Sequence, residues 1–433
     1  MAQPSTSRKV HAAQRVKGVL SLPGDKSISH RYALLGAIAE GTTQIRGFAS
    51  SLDCQSSLNC LRDLGVAIER REDEVTIRGR GLTSLKLPGG ALDAGNSGST
   101  MRMLAGILAG QPFRSCLTGD GSLSRRPMKR VIEPLSRMGA RIRAADGWLP
   151  PLEIEGGSLS PIRYQPPVAS AQVKTAILFA GLTASGETTV EEMVATRNHT
   201  EIALKQMGAQ IDVARGAVSV RGPARLHAVS IRVPGDVSSA AFFLAAALML
   251  PGSEVLIRGA GLNPSRTAML ELLKRMGAPL EIKNLETAHG EPVGDIRATF
   301  GPLSGGEIPS EAVPNLIDEL PVLAVLGTQT EKGLSFRGAQ ELRVKESDRL
   351  RAVAENLRRM GAVVDEFPDG LSVAGQQTLH EAEIDSYGDH RIAMAFAVAG
   401  LATKQGVTIR GSECVGISFP EFFETLDRIA EPA

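Results

Sequence analysis

The sequence predicts an α/β protein of two similar domains, each built from three copies of one helix–strand–helix–strand–strand repeat. Three observations predict it. A polar or acidic opener, about fifteen small and aliphatic residues, a Gly turn and a β-branched strand recur six times, with an average period of about 73 residues. A second, amphipathic helix follows most of these strands and ends in nearly the same phrase each time. Finally, Leu22-Pro23-Gly24-Asp25-Lys26-Ser27 reappears as Val233-Pro234-Gly235-Asp236-Val237-Ser238, as expected of a duplicated three-repeat domain. A chain of 433 residues is also too long for one ordinary core.

Taken in order, Arg15 to Leu22 reads as a strand running into the first opener, and only about the first eight residues look dispensable. The openers are Asp25-Lys26-Ser27, Asn96-Ser97-Gly98, Ser170-Ala171-Gln172, Asp236-Val237-Ser238, Asp318-Glu319 and Asp389-His390-Arg391. Their closing glycines are Gly41, Gly110, Gly186, Gly252, Gly333 and Gly406. The helices behind the openers are apolar nearly all round, as in Ala240 to Met249 and Ile392 to Leu401, so they belong inside. The second helices close on Leu61-Arg62-Asp63-Leu64-Gly65, Leu135-Ser136-Arg137-Met138-Gly139, Leu204-Lys205-Gln206-Met207-Gly208, Leu272-Leu273-Lys274-Arg275-Met276-Gly277 and Leu357-Arg358-Arg359-Met360-Gly361. A charged face, cations in the last turn and a terminal Gly mark outer helices with a C-cap. Alternating segments such as Ala209-Gln210-Ile211-Asp212-Val213 follow as strands. The sixth repeat stops near Ala430 without closing strands, and the N-terminal strand before Pro23 is expected to fill that gap. One domain is then discontinuous, residues 1–22 with 238–433, and residues 23–237 form the other, crossing near Pro234 to Ser238.

Lys plus Arg number 48 against 47 Asp plus Glu, so no global field recruits nucleic acid or an acidic membrane. Anion binding has to come from local clusters. The most apolar stretch, Ala240 to Leu250, is closed by Pro251-Gly252 and is too short to span hydrocarbon. Met1 to Arg15 is basic and only weakly imitates a transit peptide. Cys54, Cys60, Cys116 and Cys414 fit neither a disulfide framework nor zinc spacing, which suggests reduced thiols in a cytoplasmic protein. His30, His199 and His390 form no metal-ligand pattern, and there is neither a Walker loop nor a Rossmann fingerprint. No metal and no cofactor are expected.

The openers differ in charge, and there the chemistry is sought. Asp25-Lys26-Ser27-Ile28-Ser29-His30-Arg31 places cations and hydroxyls at a helix start, which opposes the macrodipole unless an anion arrives. The plainer alternative is that Asp25 caps the helix and neutralises Lys26. Gly95-Asn96-Ser97-Gly98 is stripped of bulk where backbone would approach a ligand, or is an ordinary capped turn. Arg125, Arg126, Lys129 and Arg130 crowd one Gly/Ser loop, as an anion clamp or as a solvated basic loop. Asp318 and Glu319 sit inside Leu316-Ile317-Asp318-Glu319-Leu320-Pro321, an odd place for two carboxylates without a partner or a function. In Glu341-Leu342-Arg343-Val344-Lys345-Glu346-Ser347-Asp348-Arg349, Lys345 and Arg349 are spaced to share a helical face, which also suits surface salt bridges. The fourth opener, Asp236-Val237-Ser238, lies at the crossover and keeps the scaffold phrase of the first without its cation. The recurrence points to a substrate with several negative groups, with Asp318 and Glu346 for proton transfer.

These residues resemble the 5-enolpyruvylshikimate-3-phosphate synthase family. The phrases Leu22 to Arg31, Gly95 to Gly98, Arg126-Pro127-Met128, Ser170-Ala171-Gln172-Val173-Lys174, Arg343 to Arg349 and Asp389-His390-Arg391 carry the likeness, in the family's order along the whole chain. The resemblance implies the enolpyruvyl transferase fold: two domains, each of three β-α-β-α-β-β units, with buried parallel helices surrounded by sheets and the active site in the interdomain cleft. It also implies a shikimate-pathway enzyme of aromatic amino acid biosynthesis. Such an enzyme moves the enolpyruvyl group of phosphoenolpyruvate to the 5-hydroxyl of shikimate 3-phosphate and releases phosphate, by addition–elimination through a tetrahedral intermediate.

On that likeness, Lys26, Ser27, Arg31, Ser170, Ala171, Gln172, Arg197, Asp318 and Lys345 would hold shikimate 3-phosphate. Phosphoenolpyruvate would be held by Lys26, Asn96, Gly98, Arg126, Gln172, Arg349 and Arg391. Asp318 would accept the hydroxyl proton, Lys345 and Glu346 would assist protonation of the methylene carbon, and Lys26 would touch both substrates. Ser170-Ala171-Gln172 and Thr196-Arg197-Asn198-His199-Thr200-Glu201 resemble the bacterial class II subgroup. Many members carry Lys ahead of Phe-Pro near the C-terminus, whereas here Ile417-Ser418 precedes Phe419-Pro420. Gly98, where some relatives have Ala, implies comparative sensitivity to glyphosate. A monomer with these two substrates as its partners, and neither nucleic acid nor membrane, is expected. The rivals are the sister transferase acting on UDP-N-acetylglucosamine and a non-catalytic anion-binding scaffold. The first uses a loop cysteine, and Gly119 to Arg126 contains none.

Overall fold

A computed structural model describes residues 6–433. The first five residues of the segment expected to be dispensable lie outside the described residues. The rest of that segment does not behave as expected: Ser7–Val10 is a strand, paired antiparallel with Val407–Arg410.

Six helices stand behind the six openers: Lys26–Ile38, Gly98–Ala109, Ala171–Gly181, Val237–Met249, Leu320–Gly327 and His390–Leu401. Every residue of Val237–Met249 and of His390–Leu401 is buried, as their all-round apolar sequences require. The side chains of Asp25, Ser97, Ser170, Asp236 and Asp389 cap their helices, accepting from backbone N–H groups that have no partner within the helix. The fifth opener is different. A short helix, Val313–Leu316, precedes it, and Glu319 begins Leu320–Gly327 without a side-chain cap. The outer helices end as the sequence suggests, with Gly361 at φ +81 just past Arg349–Arg359.

The chain divides into two compact units. A central unit comprises Pro23–Pro234 and Ala288–Glu291, and a terminal unit the described residues up to Leu22, Gly235–Thr287 and Pro292–Ala433. The crossing falls at Pro234/Gly235, slightly before the 237/238 boundary expected from the sequence. Gly235 already belongs to the terminal unit's sheet, because it exchanges backbone hydrogen bonds with Gly259 and Gly261.

Within the central unit each repeat makes one sheet of four strands. In the first, Ser230–Arg232 runs parallel to Glu40–Arg46, which pairs antiparallel with Glu74–Arg80, and Ala67–Arg71 completes the edge. The second repeats this with Leu92–Asp93, Arg114–Thr118, Leu149–Glu155 and Arg141–Ala145. The third uses Arg163–Tyr164, Gly186–Glu191, Ala217–Gly222 and Ile211–Ala214. In the terminal unit Gly306–Ile308, Leu334–Phe336, Gly370–Val373 and Val364–Phe367 follow the same plan.

The remaining two sheets explain the chain crossover. Ala13–Ser21 precedes the first buried helix in sequence but runs parallel to Glu254–Gly261, in the fourth repeat's sheet. Conversely, Ser230–Arg232 precedes the fourth buried helix but joins the first repeat's sheet. Each leading strand has been exchanged for its counterpart, which accounts for the twin Pro-Gly-Asp phrases. In the sixth repeat Glu383–Asp385 pairs with Val407–Arg410, and Ser7–Val10 stands where the other repeats place their own hairpin strand. The gap is therefore filled by the N-terminus, though by a shorter and earlier strand than Ala13–Ser21.

Each unit has its own hydrophobic core. In the terminal unit Phe243, Phe419 and Phe422 pack with ring centroids 5.7–6.0 Å apart, edge-on or tilted, in the range where aromatic pairs contribute about 0.5–1.5 kcal/mol beyond area burial. In the central unit Gly98–Ala109 and Ala171–Gly181 approach closely at Gly106, where an added Cβ would lie 2.2 Å from the Ala176 carbonyl oxygen. Among the described residues no helix is long and apolar enough to cross a membrane.

Candidate active site

In the central unit the three helix starts are laced together by side chains. Lys26 Nζ donates to Asp53 Oδ2 at 2.6 Å, so an acid from the second helix holds the first opener's cation. Arg31 is buried, and its nitrogens donate to Thr200 Oγ1 (2.7 Å), Thr175 Oγ1 (3.0 Å) and the Ser27 carbonyl (2.8 Å). This ties Lys26–Ile38 to the helices Ala171–Gly181 and His199–Gln206. His30 bonds Ser57 through Nδ1 at 2.8 Å, and Ser57 meets Thr100 at 2.8 Å. Burial, then Lys26 and Arg31, push the His30 pKa well below its ordinary value against a weaker pull from Asp25, which keeps the ring neutral near pH 7.

At the second opener Arg126 Nη2 donates to Asn96 Oδ1 and Ser122 Oγ, both at 2.9 Å, and Asn96 Nδ2 donates to Asp120 Oδ2 at 2.7 Å. Asn96 thus orients Arg126. Gly98 begins its helix buried, and a Cβ there would stand 2.6 Å from Arg102 Nη1. Arg102 Nη1 donates to Gln172 Oε1 (2.7 Å), and Gln172 Nε2 donates to Ser99 Oγ (2.8 Å), so the second and third openers are in direct contact. Ser170, Ala171 and Ser27 are half-buried at their helix starts, and Arg197 is half-buried in the turn before His199–Gln206. That turn is braced by Lys174, which is buried and donates to Glu201 (2.5 Å) and Glu192 (3.1 Å), while Glu192 accepts from Thr196.

In the terminal unit the charge is arranged differently. Arg349 is 2% exposed and is surrounded by acids: Asp389 Oδ2 at 2.8 Å, Glu346 Oε2 at 2.6 Å and Asp318 Oδ1 at 3.6 Å. Burial works against its charge, but Asp389, Glu346 and Asp318 outweigh it and raise its pKa above the ordinary value. Asp389 serves two ends, capping His390–Leu401 and anchoring Arg349. Lys345 is half-buried, and loss of solvent around its ammonium pushes its pKa down, opposed by Asp318 and reinforced by Arg349. Arg391 Nη1 lies 3.8 Å from Glu319 Oε1.

One expectation needs correction. Lys345 and Arg349 do not share a helical face: Gln340–Val344 is a 3-10 turn, Lys345 is extended, and Asp348 caps a helix that begins only at Arg349. The cap at Asp348 stops the helical spacing from reaching back to Lys345, so tertiary folding groups the two cations and Glu346 around Asp318.

Burial raises the pKa of Cys54, Cys60 and Cys414 to about 12 and lifts that of Cys116, which lies in the strand Arg114–Thr118. None is an activated thiol. Sequence reasoning missed Asp53, Arg102, Glu192 and Arg266. Arg266 supplies the cation that the fourth opener lacks, donating to Asp236 Oδ1 (3.2 Å) and Ser238 Oγ (2.6 Å). The Asn263-Pro264-Ser265-Arg266 turn was the available signal.

A family model described as EPSP synthase (3-phosphoshikimate 1-carboxyvinyltransferase) matches residues 10–426. A 3-phosphoshikimate 1-carboxyvinyltransferase of Solibacter usitatus is 53% identical, covering 98% of this chain and 100% of that protein. Its counterpart in Koribacter versatilis is 51% identical over 98% of this chain and 99% of its own. Among solved structures, the EPSP synthase of Acinetobacter baumannii superposes with a TM-score of 0.87 at 43% identity over 99% of both chains. The enolpyruvyl transferase NikO of Streptomyces tendae, at 18% identity and a TM-score of 0.77 over 99% of this chain and 98% of its own, shares the fold. The chain belongs to the EPSP synthase family.

Proposed function

We propose that this protein is the shikimate-pathway transferase of its family, moving the enolpyruvyl group of phosphoenolpyruvate to the 5-hydroxyl of shikimate 3-phosphate and releasing phosphate. The observation that carries this reading is the full-length match to 3-phosphoshikimate 1-carboxyvinyltransferases.

The reaction draws on both units. In the central unit Ser27, Arg31, Ser170, Gln172 and Arg197 bind shikimate 3-phosphate, while Arg126, the Asn96–Gly98 turn and Gln172 receive phosphoenolpyruvate. Lys26, now on Asp53, serves both substrates. In the terminal unit Asp318 takes the proton of the attacking hydroxyl, and Lys345 with Glu346 delivers a proton to the methylene carbon. Arg349 and Arg391 hold phosphoenolpyruvate while the tetrahedral intermediate forms; phosphate then leaves as the new methyl group gives a proton back, which restores the enol double bond. Fixed cations of this kind stabilise developing charge because they need no reorganisation during the step. The raised thiol pKa values fit this reading better than the cysteine-using sister reaction. The protein acts as a monomer in the cytoplasm.

Phosphate release from phosphoenolpyruvate tests the assignment. Release should require shikimate 3-phosphate and should not be supported by UDP-N-acetylglucosamine. Release with the nucleotide sugar alone, or with neither acceptor, would overturn the reading.

A further inference from the structure

The fourth opener, Asp236-Val237-Ser238, touches neither substrate in the proposed reaction, yet it is among the most heavily buried polar groups of the chain. Asp236, Ser238, Arg266 and Glu319 are all less than 9% exposed. They form one line. Arg266 Nη2 donates to Ser238 Oγ at 2.6 Å, and Ser238 Oγ in turn donates to Glu319 Oε1. Glu319 Oε1 stands 3.8 Å from Arg391 Nη1, and the Arg391 guanidinium lies 6.0 Å from the centre of the Phe242 ring. Two cations and two carboxylates balance in the group, with Asp236 3.2 Å from Arg266.

Three features argue against simple structural lacing. Glu319 occupies the N-cap position of Leu320–Gly327, where an acidic side chain ordinarily accepts from the helix's own N–H groups, but it makes no such bond. Its carboxylate is turned to Ser238 and Arg391 instead. The Ser238 hydroxyl has only one proton, and with Arg266 donating to its oxygen that proton is committed to Glu319. At 3.8 Å the Glu319–Arg391 contact is an ion pair longer than a hydrogen bond, so it draws the guanidinium toward Glu319 without consuming an N–H donor.

We propose that Arg266, Ser238 and Glu319 are positioning residues that hold the Arg391 guanidinium ready for the anionic groups of phosphoenolpyruvate. The proposal rests on the assignment of Arg391 to that substrate. It gives the cation-less opener a role of its own. The repeat kept its capping phrase and took a cation from the Asn263–Arg266 turn to orient a neighbour's arginine.

Steady-state kinetics of the full chain test it, with Glu319→Gln, Ser238→Ala, Arg391→Ala and the Glu319→Gln/Arg391→Ala double variant. Glu319→Gln and Ser238→Ala should each raise KM for phosphoenolpyruvate about tenfold, the size of losing one hydrogen bond to a charged group. KM for shikimate 3-phosphate should stay within about twofold. Arg266→Met should behave like Ser238→Ala, and Arg266→Lys should recover part of the loss. In the Arg391→Ala background Glu319→Gln should add little, because the group it positions is gone. If Arg391→Ala raises that KM while Glu319→Gln and Ser238→Ala do not, the positioning role alone is overturned. If Arg391→Ala leaves it unchanged, the substrate assignment fails and takes the proposal with it. Equal loss for both substrates, or full additivity in the double variant, would show a merely structural network. Thermal melts of Glu319→Gln, an isosteric change, confirm that the variant compared is folded.

Discussion

Arg126 in the central unit and Arg349 in the terminal unit are both buried guanidiniums beside the start of a buried helix, and different groups accept from them. Arg126 donates to Asn96 and Ser122, which are uncharged. Arg349 is ringed by Asp389, Glu346 and Asp318. Arg349, set among three carboxylates, is already compensated, and the proposed reaction assigns proton transfer to Asp318 and Glu346 among them. In the proposed reaction the same repeat serves binding in one unit and both binding and proton transfer in the other.

The largest test of that contrast is stability. Arg349→Met strips the counter-charge from buried carboxylates and should cost about 3–5 kcal/mol in denaturant melts. Arg126→Met breaks the bonds to Asn96 and Ser122 and should cost about 1–2 kcal/mol, with its main effect on phosphoenolpyruvate KM. Equal losses would erase the distinction.

A smaller effect separates two glycines of one helix. Gly106→Ala forces a methyl against the Ala176 carbonyl, which is backbone and cannot yield, so a loss of about 1–3 kcal/mol is expected. Gly98→Ala presses on the end of the flexible Arg102 side chain and stands in ordinary contact with Arg126 Nη1 at 3.6 Å, so the fold should tolerate it. Arg102 would then be pushed off Gln172, and inhibition by glyphosate should weaken more than phosphoenolpyruvate binding does. An inhibition constant unchanged in Gly98→Ala would contradict this.

The smallest effect is in pH. Burial lowers the Lys345 pKa below the ordinary 10.5. The alkaline limb of turnover should thus fall at a lower pH than an unperturbed lysine would give, and Lys345→Met should remove that limb. The sign for stability follows from linkage: the unfolded chain binds this proton more tightly. Lys345 therefore makes stability rise with pH between its folded pKa and 10.5, the opposite of a lysine that gains a partner.

Much of this was legible in the sequence because it is local. Caps, C-terminal glycines and apolar periodicity belong to single helices, and two openers, Asp25-Lys26-Ser27 and Asp389-His390-Arg391, carry their own cations. What the sequence did not show is tertiary. Asp53 reaches Lys26 from the second helix, Arg266 reaches Ser238 from a turn, and Ser7–Val10 completes a sheet whose other strands lie at the far end of the chain. The grouping of Lys345 with Arg349 was expected for the wrong reason, since helical spacing does not extend across the cap at Asp348.

The division of labour is tested most directly by Asp318→Asn, which keeps the side chain's size and removes its basicity. Phosphate release should fall by about 10²–10⁴-fold, while calorimetric titration shows shikimate 3-phosphate still binding the variant. Turnover equal to that of the parent protein, with binding intact, would contradict the assignment of the base to the terminal unit.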